Sequence, residues 1–470
     1  MQKIKKYLAI SSLLIALPIS TVIASLFVLE SSKEIYNYIP AESDLVIEIN
    51  MRNFIAAGAY QRIFNEAYFN EKIVLEDDEK LVPETGLDIF SSVILFREQW
   101  SEQNIWMAIF GVEDRTIFET YLKEELPNIH YCFNDSYVIV QVTPHTENQE
   151  TLNAHMASIM AGEIKSFKER VNLADLFDDT KEINCYIIPQ SSDENNQLIS
   201  GNLSFDFLND KIAIDGEFTP VSGFSENQPV AYALDENAAF SVRSSLNLFS
   251  SIYWFSDDRI QNIPKYSQMA LDYNGMNLFM VHKKLGYSVP FKQFPDLQVH
   301  FDIIEPKSWH TFFDTLTNKK TINVDTVTKI LITKMGTFFI YEFTDKVFEL
   351  MRREVNLAPC EDENLYFALQ LKVAPLLDNI KFAVDEQNPP STLEQSLGLM
   401  VAEGMVDELR IMANIDFLNF ELRLEDETNM MANGTVQMLN GKGNSVVESI
   451  AIGKAAIGFI TSYLSGEVGE

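Results

Sequence analysis

Residues 203–215 read LSFDFLNDKIAID, and residues 413–425 read ANIDFLNFELRLE. The letters at 206–209 and 416–419 are identical, and apolar residues alternate in phase across the whole match. Alternation with a period of two is typical of a strand that buries one face. The first stretch is predicted to contain the end of a strand at 197–207, a hairpin loop at 208–210 and the start of a strand at 211–218. Its likeness to the second stretch indicates that part of the chain is repeated.

Two further pairs of segments are similar in the same order along the chain. A strand end followed by a helix is predicted at 112–125 and again at 304–317, and a strand that runs into a helix at 45–54 and again at 239–249. The three pairs are separated by 192 to 210 residues. Similar segments at similar offsets predict a duplication with insertions. We expect the boundary at 220–229, where Gly, Ser, Asn, Gln and Pro cluster.

The expected fold class is α+β, as two related modules of antiparallel sheet with packed helices. Between 45 and 142 the predicted elements are a strand at 45–49, a helix that Asn50 caps and that runs to about 68, strands at 89–96 and 105–112 separated by the polar stretch 97–104, a helix at 115–125, and strands at 131–133 and 136–142. The order strand, helix, strand, strand, helix, strand is the split β-α-β arrangement of ferredoxin-like folds. The first module is expected to cover 31–225. The second is expected to cover 226–470 and to end in an apolar helix at 446–464.

Residues 1–30 are predicted to be a transmembrane anchor or a signal segment. Tyr7–Val28 is 22 residues without a charge, preceded by three lysines, and a helix of this length spans a bilayer core of ~30 Å. The lysines would stay in the cytoplasm, which places the body on the extracytoplasmic (periplasmic) side. The alternative is a signal peptide cleaved after the small-residue site at 22–24. Under either interpretation the body is exported. If the segment is an anchor, Tyr7–Val28 also binds the protein to the membrane.

The charge of the chain excludes one class of partner. It has 68 acidic and 36 basic residues and a net charge of −32, which argues against nucleic acid and anionic lipid head groups as ligands. The hydrophobic fraction of 46% is ordinary for a globular protein.

Three cysteines, Cys132, Cys185 and Cys360, are too few and too widely spaced for a disulfide framework. Cys132 and Cys185 both lie in strand-like sequence and could pair if they are adjacent. The other interpretation is that all three are buried thiols. None follows a lipid-accepting pattern after the leading segment.

No catalytic, cofactor-binding or metal residue is assigned. The sequence has no His-x-x-x-His pair, nucleophile elbow, phosphate-binding loop or dinucleotide fingerprint. Acidic runs at 76–79, 178–179 and 361–363 lack the alternating pattern of a calcium loop, so we interpret them as solvated loops. His300, in a predicted strand, is expected to be satisfied by partners or to lie at the surface. His145 is interpreted as a loop residue.

Three short motifs resemble a family of bacterial envelope proteins of unknown function. They are YIPAESDLVIEIN at 38–50, TGLDIFSSVILF at 85–96 and the helix start Asn444-Ser445. Members of that family carry an Ile-Pro-Ala type of opening before their first strand. The resemblance implies an exported protein tethered by a membrane segment or a lipid, without a known activity. It transfers no functional residue, and this chain lacks the cysteine of the lipid-tethered members.

The sequence therefore predicts a binding or scaffold protein of the cell envelope rather than an enzyme. Its expected partner is an unknown envelope protein, bound through the cleft or the edges of the modules. One alternative is a carrier of a lipid or hydrophobic ligand in an inter-module cleft, since the chain contains 33 phenylalanines. The other is a hydrolase that uses paired carboxylates, which no spacing supports or excludes.

Overall fold

A computed structural model describes a defined set of residues. They are 33–64, 86–88, 90–100, 103–125, 129–142, 149–188, 198–220, 228–246, 251–252, 260–261, 264–280, 291–318, 322–325, 330–333, 336–351, 357–375, 415–426, 428–439 and 445. The segment Tyr7–Val28 and the apolar helix expected at 446–464 lie outside them.

No helix in this set is long and apolar enough to cross a membrane. The longest of them has 14 residues, whereas a span needs about 20. No described helix therefore supports the expected transmembrane helix.

The chain divides into two compact units. The first contains 1–188, 202–209 and 444–454, and the second contains 189–201, 210–443 and 455–470. The boundary expected at 220–229 falls inside the second unit.

Antiparallel strands dominate the described residues. The strands are β1 Leu45–Ile49, β2 Val93–Trp100, β3 Gln103–Gly111, β4 Tyr131–Phe133, β5 Tyr137–Gln141, β6 Ile183–Ile187, β7 Leu198–Phe207, β8 Lys211–Pro220, β9 Phe240–Ser244, β10 Ser251–Ile252, β11 Ile260–Gln261, β12 Tyr266–Met280, β13 Phe291–Ile303, β14 Ile322–Asp325, β15 Ile330–Thr333, β16 Gly336–Phe343, β17 Val347–Met351, β18 Leu365–Lys372, β19 Ile415–Asp426 and β20 Asn429–Met438. The helices are α1 Met51–Phe64, α2 Arg115–Glu125, α3 Gln149–Met160, α4 Leu173–Leu176 and α5 Pro306–Asn318, with 3-10 turns at Lys33–Tyr38 and Phe167–Glu169.

In the first unit the strands pair in the order β4, β5, β3, β2, β1, β6, all antiparallel. One face of this sheet carries Val46, Ile94 and Phe96, which pack with residues of the first 3-10 turn and of α3. The opposite face carries Val138 and Val140, which pack against Phe118 and Leu122 of α2. This alternation along each strand is the expected period of two.

In the second unit the order is β14, β15, β16, β17, β13, β12, β9, β18, β19, β20, β8, again antiparallel throughout. Its apolar face holds Phe301 of β13 and Phe348 of β17. Trp309 of α5 packs on both rings, with centroids 5.2 and 5.5 Å away. The apolar side chains of α5 thus cover this face of the sheet.

The α+β fold class expected from the sequence is wrong, because the described residues are mostly antiparallel sheet with few helices. The ferredoxin-like element is wrong as well. In a split β-α-β unit the two strands flanking the helix are separated by another strand, but here β1 and β2 pair directly and antiparallel. The order of elements in a sequence does not encode the direction in which the chain returns to the sheet.

The order of strand pairing is nevertheless the same in both units. In the first unit neighbouring strands follow the order β4, β5, β3, β2, β1, β6. In the second unit the equivalent order is β16, β17, β13, β12, β9, β18. Equivalent helices follow along the chain, α2 after β3 and α5 after β13. In each unit the segment before the first strand also forms an isolated antiparallel β-bridge. Pro40 pairs with Ser166 in the first unit, and Tyr232 pairs with Pro359 in the second.

The sequence match that first indicated a repeat is out of register with this correspondence. The letters DFLN at 206–209 end β7 and enter a turn, whereas those at 416–419 lie inside β19. The four identical letters therefore occupy different structural positions.

Gly86 is required by its conformation and its surroundings. Its φ is +76°, and a Cβ there would lie 2.3 Å from the carbonyl oxygen of Asp114 and 2.8 Å from the nitrogen of Phe118. We expect Gly86→Ala to lower the free energy of unfolding by about 2–3 kcal/mol, from left-handed strain plus overpacking. Urea denaturation measures this loss.

The matched control is Gly162→Ala, where φ is +70° and no atom lies within 4 Å of the added Cβ. Only the backbone strain applies there, so the expected loss is about 1 kcal/mol. Equal losses at both positions would contradict the steric argument.

Candidate functional site

The described histidines and acidic runs do not assemble into a metal centre. Within the described ranges, no three His, Cys, Asp or Glu side chains converge as a metal site would require. His145 and the run at 76–79 lie outside those ranges. Asp178 and Asp179 are exposed, and Asp362 of the third run forms an ion pair with Arg423.

All three cysteines are free thiols, so Cys132 and Cys185 do not pair. Cys185 is buried, and burial raises the pKa of its thiol to about 12. Cys132 and Cys360 are half-buried, so the expectation of three buried thiols holds fully for Cys185 alone. A thiol whose pKa is raised is a poor nucleophile at neutral pH.

The first unit buries a carboxyl group on β1 that bonds to neutral donors. Glu48 is 2% exposed, and its two oxygens accept hydrogen bonds from the Tyr36 hydroxyl at 2.8 Å and from Asn184 Nδ2 at 3.2 Å. Burial raises the pKa of Glu48 by more than these bonds lower it. The same burial, together with the charge of Glu48, raises the pKa of Tyr36. The bond from Tyr36 to Glu48 holds the 3-10 turn Lys33–Tyr38 against the sheet.

The raised pKa of Glu48 predicts a pH-dependent effect of Glu48→Gln. The folded state holds the proton more tightly than the unfolded state, so this contribution is fully present below pH 4.5 and is lost as pH rises through the folded pKa. Glutamine does not ionise. The free energy of unfolding of the variant should therefore improve relative to wild type as pH rises above 4.5.

Urea denaturation of both proteins at a series of pH values measures this difference. A hydrogen bond lost by the amide would give a constant offset that does not vary with pH. A difference that stays constant across the series would refute the raised pKa of Glu48.

The second unit buries an ion pair on the polar face of its sheet. Arg243 of β9 and Asp272 of β12 form two parallel contacts of 2.8 and 3.0 Å, and their side chains are 2% and 5% exposed. The Ser241 hydroxyl donates to the same carboxylate at 2.6 Å. Each charge thus has a partner, which a buried charge requires.

Beside this pair lies the His300 cluster, which we define as Tyr232, His300, Asp302 and Glu349. His300 Nδ1 lies 2.6 Å from Glu349 Oε1, and its Nε2 lies 3.2 Å from Asp302 Oδ1. The Tyr232 hydroxyl donates to the other Asp302 oxygen at 3.0 Å. Burial lowers the pKa of His300, but the hydrogen bonds and charges of Asp302 and Glu349 raise it by more. His300 is satisfied by partners, as its strand position predicted.

The polar face is crossed by residues 229–235, which we call the strap. Gln268 accepts from the Ala231 nitrogen at 2.9 Å and donates to the Pro229 oxygen at 2.9 Å. Arg243 Nε donates to the Ala233 oxygen at 2.8 Å. Gln268 and Arg243 of this sheet therefore bind the backbone of the strap.

At the edge of the first unit an aromatic surface surrounds β4, and we call Arg115, Tyr121, Tyr131 and Phe133 the β4 edge patch. These side chains are half-buried or exposed. The rings of Tyr131 and Phe133 lie 5.4 Å apart, and the Arg115 guanidinium lies 4.6 Å above Phe133. Among the described strands, β4 pairs with β5 alone. Aromatic residues and arginine are enriched in protein interfaces.

Sequence reasoning assigned no site and so missed both the polar face and the β4 edge patch. Ser241 and Arg243 are two residues apart in the sequence, and Gln268 and Asp272 are four apart. Polar residues at such even spacings lie on one face of a strand, so this pattern indicates a polar face of the sheet.

Comparison of the chain with protein-family models, curated proteins and solved structures gives no match in any of the three. The resemblance to the envelope family therefore stays a prediction.

Proposed function

We propose that this chain is an exported binding or scaffold protein of the cell envelope, and that it recognises a partner protein through the β4 edge patch. The observation that carries the proposal is the arginine-capped aromatic surface beside an end strand. Its composition is that of an interface hot spot. The buried ionisable groups, in contrast, are engaged with neighbouring side chains and backbone inside each unit.

Site-directed photo-crosslinking in cells that express the full chain tests the proposal. A photoreactive phenylalanine in place of Tyr131 should give one discrete adduct, because that half-buried ring would contact the partner. The same group in place of Lys168, which is exposed on the second 3-10 turn, should give none. Absence of an adduct at 131, or equal adducts at both positions, would refute the proposal.

A charge reversal on α2 provides the matched comparison. Arg115 and Lys123 both pair with Glu119, at 2.9 and 3.7 Å, and both are largely exposed. Of these two cations, Arg115 belongs to the β4 edge patch. Arg115→Glu should therefore lower the yield of the adduct strongly, by about tenfold for a hot-spot residue, whereas Lys123→Glu should leave it unchanged.

A further inference from the structure

The positions of the acceptors around His300 favour its charged form. Both ring nitrogens lie at hydrogen-bond distance from carboxylate oxygens, and an ionised carboxylate can only accept. Each nitrogen can donate to such an oxygen only when it carries a hydrogen, so this arrangement favours the imidazolium form of the ring. A neutral ring has one N–H and would turn a lone pair towards one of the two carboxylates.

The contact with Asp302 is the weaker of the two. It is 3.2 Å long, against 2.6 Å to Glu349, and Asp302 is the more exposed carboxylate, at 29% against 13%. Loss of the ring proton should therefore break the contact with Asp302. Asp302 is also the carboxylate to which the Tyr232 hydroxyl anchors the strap.

We propose that the His300 cluster is a pH-sensitive latch, which holds the strap closed when His300 is charged and loosens it when His300 loses its proton. The groups that face His300 are Glu349 from β17, Asp302 from its own strand and Tyr232 from the strap. Ala270 of β12 lies opposite it and does not titrate. Arg243 is already engaged by Asp272.

The pKa values of the cluster fit this order of events. The pKa of Tyr232 is raised to about 12, first by burial and then by the charge of Asp302, so its hydroxyl remains a donor at neutral and mildly alkaline pH. His300, with its pKa raised above 6.5, is then the group that loses a proton as pH rises. Backbone bonds that do not involve His300, from the Val230 nitrogen to the Leu365 oxygen at 2.7 Å and from the Ala233 nitrogen to the Ala358 oxygen at 2.9 Å, should keep the strap attached, so the latch loosens it without releasing it.

Hydrogen exchange of the full chain, followed by mass spectrometry on a peptide that covers the strap, tests the latch. After correction for intrinsic rates, wild-type exchange should rise by about tenfold between pH 6 and 9, the loss of one charge-assisted hydrogen bond. A peptide covering β5 in the first unit should show no such step. Absence of the step in the strap, or an equal step in β5, would overturn the proposal.

Two variants separate the latch from general loosening. His300→Gln cannot become charged, so its strap should exchange fast at every pH and show no step. Glu349→Gln keeps His300 but removes one stabilising carboxylate, so its step should move to lower pH. A step that persists unchanged in either variant would exclude His300 as its source.

Discussion

Replacing Arg243 with methionine is expected to lower the free energy of unfolding by about 3–5 kcal/mol. The substitution removes the charge but keeps an unbranched side chain of similar length. Asp272 would then lose its cationic partner in a position where its side chain is 5% exposed, while the Ser241 hydroxyl still donates to it. An uncompensated buried charge is among the most damaging single changes to a protein. Urea denaturation of the full chain measures the effect.

Arg97→Met is the matched control for burial. Arg97 makes the same two-pronged contact with Asp44, at 2.8 and 2.9 Å, but its side chain is 27% exposed. Solvent screens that pair, so its removal should lower the free energy of unfolding by about 1 kcal/mol. If both variants lost the same amount, burial would not be the cause.

The double variant Arg243→Met with Asp272→Leu measures what the intact ion pair contributes to the free energy of unfolding. The single variant instead measures the cost of leaving one partner buried alone. Buried pairs replaced by apolar residues are often neutral in stability. We therefore expect the double variant to recover most of the loss seen with Arg243→Met. Additive losses would show that both side chains matter for packing rather than charge.

The second large effect is expected for Trp309→Ala, at about 3–5 kcal/mol. Trp309 is 1% exposed and holds α5 on the sheet through Phe301 and Phe348. Its Nε1 also donates to the Lys265 oxygen at 3.0 Å. Alanine would leave a cavity between the helix and the sheet, together with an unbonded carbonyl group.

Two substitutions calibrate that result in the same urea experiment. Trp309→Phe keeps most of the ring but loses the hydrogen bond, so about 1–2 kcal/mol should be lost. Ile304→Ala, at a side chain that is 52% exposed, should change stability by no more than about 0.5 kcal/mol. A loss at Ile304 as large as that at Trp309 would mean that α5 does not cover the core as described.

Local structure could be predicted where short-range chemistry decides it. β1 was predicted at Leu45–Ile49 and α2 at Arg115–Glu125, and both bounds are confirmed. The cap at Asn50 is confirmed as well, since its side chain accepts from the Asn53 nitrogen. Alternation, an apolar stripe and a capping residue are all signals that lie within one element.

Strand neighbours and polar clusters could not be predicted in the same way. The stretch Arg97–Asn104 was interpreted as a polar separator, but most of it extends β2 and β3. Two of its polar side chains have partners in the fold, since Arg97 pairs with Asp44 and the buried Glu98 lies 3.0 Å from His155 Nε2. Arg243 meets Asp272 only because β9 and β12 pair in one register. A register between distant strands depends on the whole sheet, so no local pattern reveals it.

The pairing of β8 with β20 has a consequence for how the chain is made. Met430 pairs with Phe218, more than 200 residues earlier. At a synthesis rate of ~5–20 residues per second, β8 leaves the ribosome roughly 10–40 s before its partner exists. Contacts this distant in sequence slow folding, because the entropy of closing the loop is lost before the sheet forms. Until then the backbone groups of β8 that bond to β20 have no partner strand on that side.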